Sequence, residues 1–168
     1  MESLTDVRKV AYEILEKAKA ILQKEGYLPG YGFVLESSGE TIAIELDFSD
    51  REAKKRSMQV VGRLAREKKA VAVITVTDSV YRCFPREGEE PAKPLEGPAQ
   101  AEDFRPDGEP RPCISLDIKV EGQTPNNIMV PYRIDRLGKI EFSAPEEGPI
   151  EFVAPEPPLP GDEEGPKD

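Results

Sequence analysis

The sequence of 168 residues contains no histidine and no tryptophan, and it has only two cysteines. Histidine is the commonest general base and metal ligand in proteins, and it activates most serine and cysteine nucleophiles. Its absence excludes the usual catalytic triads and the usual zinc sites. Any metal site would have to consist of carboxylates, which favour Mg²⁺, Mn²⁺ or Ca²⁺. We predict neither a metal nor a cofactor.

Long hydrophobic runs are also missing. No apolar segment approaches the roughly 20 residues that span a bilayer, and the first residues are polar and amphipathic rather than basic and then apolar, as in a signal peptide. The two common phosphate-binding glycine motifs do not occur. We therefore expect a soluble, cytoplasmic, bacterial protein with no membrane partner. Asn and Gln total only six beside abundant Glu, Lys, Arg and Pro, which is typical of thermophile proteins.

Charge is distributed unevenly along the chain, whose formal net charge is -10. Residues 51–69 include eight basic and two acidic side chains. Residues 85–109 include three basic and eight acidic side chains, and residues 141–168 include one basic and nine acidic. The sequence therefore predicts one basic segment in an otherwise acidic protein.

Hydrophobic periodicity predicts a helix over residues 4–24, a hairpin of two strands, and a second helix whose start is a capping box formed by Ser49 and Glu52. Residues 70–77 are almost continuously apolar and β-branched, as in a central strand covered on both faces. Three further strands follow, with Pro131 indicating an edge or a bulge. The order α-β-β-α-β-β-β-β predicts an α+β fold, a two-layer sandwich with both helices on one face of a mostly antiparallel sheet of about six strands.

A single α+β domain is predicted over residues 1–145, with a long acidic, Pro-rich loop at residues 85–112. Residues 146–168 form an acidic, low-complexity tail. The segment Ile140-Glu-Phe-Ser-Ala-Pro-Glu is nearly repeated as Ile150-Glu-Phe-Val-Ala-Pro-Glu. The second copy could add a short strand or dock as a peptide. Its surroundings favour the alternative, a chance duplication in a disordered tail.

One carboxylate pattern carries a possible chemistry. Pro106-Asp107 precedes Asp117-Ile118-Lys119 by nine residues, which resembles the PD-(D/E)xK signature of metal-dependent nucleases. The resemblance implies that Asp107 and Asp117 bind a divalent cation and that Lys119 positions or activates water. Asp117 and Lys119 would point the same way from one strand. Because Asp107 falls in the Pro-rich segment, we prefer the interpretation that Asp117 and Lys119 form the solvated face of an amphipathic strand.

The second helix supplies the candidate binding residues, which are the cations away from its apolar stripe: Arg51, Lys55, Arg56, Arg63, Arg66 and Lys69. Such a face can contact nucleic-acid phosphates or an acidic protein. A nucleic acid is not favoured, because the chain is acidic and the helix has no aromatic residue on which bases could stack. A purely solvated face is the simpler alternative. The acidic tail could also fold over this helix and mask it.

The two cysteines, Cys83 and Cys113, flank the acidic loop. Antiparallel pairing of the flanking strands would place them opposite each other, and a disulfide there would contribute roughly 3 kcal/mol. Reduced thiols are the usual state in the cytosol, and we favour them here.

The predicted function is a small non-enzymatic binding or interaction domain whose partner is a protein. The first alternative is a divalent-metal-dependent nuclease that uses Asp107, Asp117 and Lys119. The second alternative is a subunit of a larger homo- or hetero-assembly, formed through the strand that contains Pro131 or through the repeated Ile-Glu-Phe segment.

Overall fold

A computed structural model describes residues 4–81 and 110–150. Two helices and seven strands follow one another in this part of the chain: α1 (Leu4–Glu25), β1 (Gly30–Leu35), β2 (Thr41–Leu46), α2 (Arg51–Glu67), β3 (Ala72–Tyr81), β4 (Arg111–Val120), β5 (Asn126–Ile134), β6 (Ile140–Phe142) and β7 (Glu146–Pro149). The predicted α+β class, with two helices packed on an antiparallel sheet, is confirmed.

The sheet has the strand order β2-β1-β3-β4-β5-β6, and β7 pairs with β5. Every described pairing is antiparallel. At the centre, β3 and β4 pair along their full lengths from Ala72↔Val120 to Tyr81↔Arg111. The predicted central strand is confirmed, because Ile74 and Val76 of β3 are fully buried.

The last two strands form one interrupted edge strand beside β5. Phe142 pairs with Tyr132, and Glu146 pairs with Met129. The edge strand therefore advances by four residues where β5 advances by three. The additional residue is a β-bulge between β6 and β7. The N–H of Ser143 donates to the carbonyl of Pro131 over 2.8 Å at this point. The bulge signalled by Pro131 therefore lies in the neighbouring strand, while β5 itself is an interior strand.

The strand β7 belongs to the segment that the sequence predicts to be a tail, and an ion pair holds it to α1. Arg8 Nε and Nη2 each donate to one carboxylate oxygen of Glu147 over 2.8 Å. The hydrogen bonds from Arg8 lower the pKa of Glu147. The bidentate geometry fixes the orientation of β7 relative to the helix.

The two helices cover opposite faces of the sheet, which differs from the expected arrangement on one face. Along β1, Tyr31, Phe33 and Leu35 pack in the cluster that contains α1. The alternate residue Val34 packs in the cluster that contains Val61 of α2. Because successive side chains of a strand point to opposite faces, α1 and α2 lie on different sides. The physical reason is that β1 and the first half of β3 are apolar on both faces, so each face needs its own cover.

Close approach of α2 to the sheet depends on a glycine in β1. A Cβ atom at Gly32 would lie 2.9 Å from Cγ2 of Val61, which is closer than two carbon atoms can approach without a shift. Gly32 and Val61 are both buried. The small residue therefore lets the helix and strand backbones pack directly against each other.

The helix α2 begins one residue later than the capping box predicts. Asp50 is the N-cap, with extended backbone, and its side chain accepts a hydrogen bond from the N–H of Ala53 over 2.8 Å. Ser49 instead donates its N–H to Asp47 Oδ1 over 2.9 Å in the preceding turn. A carboxylate at this position satisfies a free amide and also interacts favourably with the helix dipole.

We therefore expect Asp50→Ala to lower the free energy of unfolding by about 1 kcal/mol, the usual effect of losing an N-cap. The matched change Ser49→Ala should lower it by no more than about 0.5 kcal/mol, as for other surface substitutions. Urea denaturation of both variants provides the comparison. A larger loss in Ser49→Ala would show that the capping box is the true start of the helix.

Candidate binding surface

One side of α2 is held on the sheet, and this fixes which residues face solvent. Ala53 and Val61 are buried, and Met58 and Leu64 are partly buried in the same cluster. At the first turns, Lys54 Nζ lies 5.6 Å from the ring centroid of Phe48. These contacts lie along one side of the helix and set its rotation about its axis.

The opposite side of α2 carries four cations, Lys55, Arg56, Arg63 and Arg66, which we call the basic stripe. All four side chains are exposed. At 100° per residue they fall within an arc of about 100°, and they extend about 16 Å along the axis. Within residues 4–81 and 110–150, no carboxylate forms an ion pair with any of them. Hydrogen bonds from Ser49 and, less strongly, the positive charge of Arg56 acting through space lower the pKa of Asp47, but no described carboxylate neutralises the stripe by direct contact.

An exposed apolar residue borders the basic stripe. Val60 is 47% exposed, and it is four residues after Arg56 and three before Arg63, so the three side chains are neighbours on the helix surface. The polar side chain of Gln59, also exposed, completes this part of the surface. The surface therefore combines positive charge with an apolar contact point. Helical spacing assigns Val60 to the apolar stripe of the helix together with Val61, whereas in the structure Val61 is buried and Val60 is half exposed.

The other two predicted binding residues, Arg51 and Lys69, lie outside the basic stripe. Arg51 is the first residue of α2 and has an interaction of its own. Lys69 follows the helix with a φ of 51°, and it lines a shallow cleft together with Arg66 and Glu121. The structure thus brings four of the six predicted residues together and places the remaining two at the helix ends.

The residues that resemble a nuclease signature are described only in part. Asp117 and Lys119 alternate along β4 and are both exposed, so they share one face of the sheet as predicted. Asp117 Oδ1 accepts a hydrogen bond from Asn127 Nδ2 over 2.7 Å. Asp107 lies outside the described residues, so the proximity to Asp117 that the nuclease alternative requires is untested. In the described ranges, no group of three or more His, Cys, Asp or Glu residues could hold a metal ion.

A cleft of about 760 Å³ lies where β2 ends and β1 begins, and it contains Asp47 and Asp78. Asp78 Oδ1 accepts a hydrogen bond of 2.7 Å from the hydroxyl of Tyr132. Hydrogen bonds from Ser49 lower the pKa of Asp47. Both carboxylates therefore stabilise local structure: Asp47 orders the turn before α2, and Asp78 satisfies a buried tyrosine.

Cys113 is a free, buried thiol on β4. Its direct partner across the antiparallel pair is Ser79, which differs from the expected position of Cys83 opposite Cys113. Cys83 itself lies outside the described residues, so the disulfide alternative is untested and reduced thiols stay the prediction. Burial, with a smaller effect of the negative charge of Asp78, raises the pKa of Cys113 to about 12.

The raised pKa of Cys113 predicts a loss of stability at alkaline pH. An unfolded thiol titrates near its ordinary pKa of about 8.5, whereas the folded thiol stays protonated until the pH approaches about 12. Between these values the unfolded state binds fewer protons, so the free energy of unfolding falls as pH rises. We expect the free energy of unfolding of Cys113→Ala to fall less steeply than that of wild type between about pH 7 and 11. Urea denaturation at a series of pH values measures both. If the free energies of unfolding of wild type and variant fall equally with pH, Cys113 is not the group whose raised pKa causes the loss.

Comparisons with protein families, curated proteins and solved structures found no match to this chain. Neither described helix is long and apolar enough to cross a bilayer. The class that the described residues define is an antiparallel α+β domain that presents a basic helix to solvent.

Proposed function

We propose that the protein is a non-enzymatic binding module and that the basic stripe of α2 docks with an acidic segment of a partner protein. The observation that carries the proposal is the set of four exposed cations on one side of a helix whose other side is packed on the sheet. Because the backbone of α2 is already ordered, only the side chains lose conformational entropy when a partner binds. The composition supports a cytoplasmic setting in a bacterium, with a thermophilic source.

The charge of the whole chain supports an acidic protein rather than a nucleic acid as partner. A nucleic acid presents a long row of phosphates, and it would be repelled by the remainder of a chain with net charge -10. A short acidic peptide can occupy the stripe alone. Val60 also favours a protein, because the core of a protein interface buries apolar contacts between its charged groups.

A fluorescein-labelled oligoglutamate peptide with one central leucine is a suitable probe of this proposal. Fluorescence anisotropy should show binding that weakens as salt rises, because exposed charges are screened. Arg56→Glu, Arg63→Glu and Arg66→Glu introduced together should weaken binding by about 10- to 100-fold, given roughly 0.2–1 kcal/mol for each exposed charge pair and added repulsion. Replacing the leucine of the peptide by serine should weaken binding further if Val60 contacts it.

The matched control reverses three exposed cations elsewhere on the surface: Lys9→Glu, Lys24→Glu and Lys139→Glu. This variant has the same net charge as the stripe variant, so it separates the specific surface from the overall field. If both variants lose peptide affinity equally, the proposal is overturned. Tighter binding of a single-stranded DNA oligonucleotide than of the peptide would make a nucleic acid the partner instead.

A further inference from the structure

An apolar groove lies on the α1 face of the sheet, beside the open edge of β2. Its walls include Ile14 and Ile21 of α1, Tyr31 and Phe33 of β1, and Ala43 of β2. The groove has a volume of about 170 Å³. A protein cavity of about 150 Å³ accommodates a benzene molecule, so this groove has the size of one phenylalanine ring.

The strand next to the groove is open to pairing. In the described part of the chain β2 pairs with β1 alone, and the outer edge of Thr41–Leu46 carries backbone groups without a strand partner. Natural edge strands are usually protected by lysine, proline or a bulge. The sequence Thr-Ile-Ala-Ile-Glu-Leu has neither lysine nor proline, and its one charged residue is the exposed Glu45. An extended segment could therefore pair with β2 and insert a side chain into the groove.

On the other flank of α1, the corresponding space between helix and sheet is filled by residues of the chain itself. There the first copy of the repeated segment forms β6, and Ile140 and Phe142 pack in the core cluster beneath α1. Lys19 Nζ lies 5.5 Å from the ring centroid of Phe142. Lys17, two residues earlier and therefore about 200° around the helix, lines the groove on the opposite flank. The two flanks of α1 thus offer similar environments, one filled by Ile-Glu-Phe and the other open.

The second copy of the repeat, Ile150-Glu-Phe-Val-Ala-Pro-Glu, has the same Ile and Phe two residues apart, which an extended segment places on one face. Only Ile150 of this copy belongs to the described residues, and a chain two residues longer can place Phe152 at most about 7 Å from it. The N–H of Ile150 donates to the carbonyl of Pro125 over 2.9 Å, which holds it at the start of β5. Four strand spacings, about 19 Å, separate β5 from β2.

We propose that a second copy of this chain docks residues 151–156, which follow the anchored Ile150, on the edge of β2 and inserts Phe152 into the groove beside Ala43. Reciprocal exchange between two molecules forms a closed dimer with two identical contacts. The contact lies on the face of the sheet opposite α2, so it leaves the basic stripe accessible.

Light scattering coupled to size-exclusion chromatography of the full chain tests this proposal. Wild type should approach twice the monomer mass of 18.6 kDa as concentration rises. Phe152→Asp should weaken association by about tenfold or more, because it removes the aromatic residue at the centre of the contact. Ala43→Arg, at an exposed position, should do the same by filling the groove. Mixing the two variants should restore part of the association, because the mixed dimer regains one of its two contacts: the intact segment of Ala43→Arg docks in the intact groove of Phe152→Asp.

The matched control is Leu159→Asp, which removes another large apolar side chain from the same part of the sequence but outside the repeat. It should associate like wild type. The proposal is overturned if wild type remains monomeric, if Phe152→Asp associates unchanged, or if Leu159→Asp dissociates equally. It is also overturned if the two folded variants, checked by circular dichroism, associate no more strongly when mixed than either does alone. These results do not depend on the acidic peptide probe, so this proposal and the binding function fail separately.

Discussion

Leu116→Ala is expected to lower the free energy of unfolding by about 3 kcal/mol, within the range for fully buried leucines. Leu116 is 0% exposed and lies in β4, paired with Val76 on one side and Ile128 on the other. It packs in the core cluster that contains the buried residues of α1. The substitution removes apolar contacts and leaves a cavity at the centre of the sheet, where neighbouring strands cannot collapse to fill it.

The chain offers a control with identical chemistry. Leu137 is 93% exposed in the turn before β6, so Leu137→Ala should change the free energy of unfolding by less than about 0.5 kcal/mol. Urea denaturation followed by far-UV circular dichroism measures both values. Similar losses in the two variants would mean that α1 and β4 do not form the core described above.

Gly32→Val should have the second largest effect, a loss of about 1–3 kcal/mol typical of overpacking. The new Cβ atom would lie 2.9 Å from Cγ2 of Val61, and because both backbones are fixed by secondary structure, α2 must move away from the sheet. Amide hydrogen exchange should therefore become faster in α2 than in α1. This distinction follows directly from the placement of the two helices on opposite faces.

Gly148→Val is the corresponding control for Gly32→Val. A Cβ atom at Gly148 would meet no atom within 4 Å, and its φ is not in the left-handed region. Its free energy of unfolding should change by less than about 0.5 kcal/mol. If Gly32→Val has an equally small effect, or if it accelerates exchange in α1 instead, then α2 does not pack on the face opposite α1.

Local pattern was sufficient to predict most elements of the fold. The helical stripe of α1, the alternation in β4 and the apolar run of β3 each depend on residues that are close in sequence. The placement of the helices was not predictable in the same way. The face of β1 that each helix covers is decided by tertiary packing. Gly32, where α2 approaches β1, has no side chain that could indicate this contact in the sequence.

The candidate site was predictable to a similar extent. The cations of the basic stripe follow from helical spacing alone, whereas their lack of ion pairs with described carboxylates depends on tertiary structure. The capping box places the start of α2 one residue too early, because Ser49 and Asp50 are both good N-caps. The turn formed by Asp47 decides between them. The groove beside β2 could not be foreseen, since it exists only because α1 leaves that edge of the sheet uncovered.

The most direct test of the binding function is an NMR titration of the isotope-labelled chain with the oligoglutamate peptide. We predict that the backbone amide shifts that change with peptide concentration map to α2, with the largest changes around Lys55, Arg56, Val60, Arg63 and Arg66. Amides near the exposed cations Lys9 and Lys24 of α1 should remain unchanged. Shift changes spread equally over both helices, or none on α2, would contradict the assignment of the basic stripe as the binding surface.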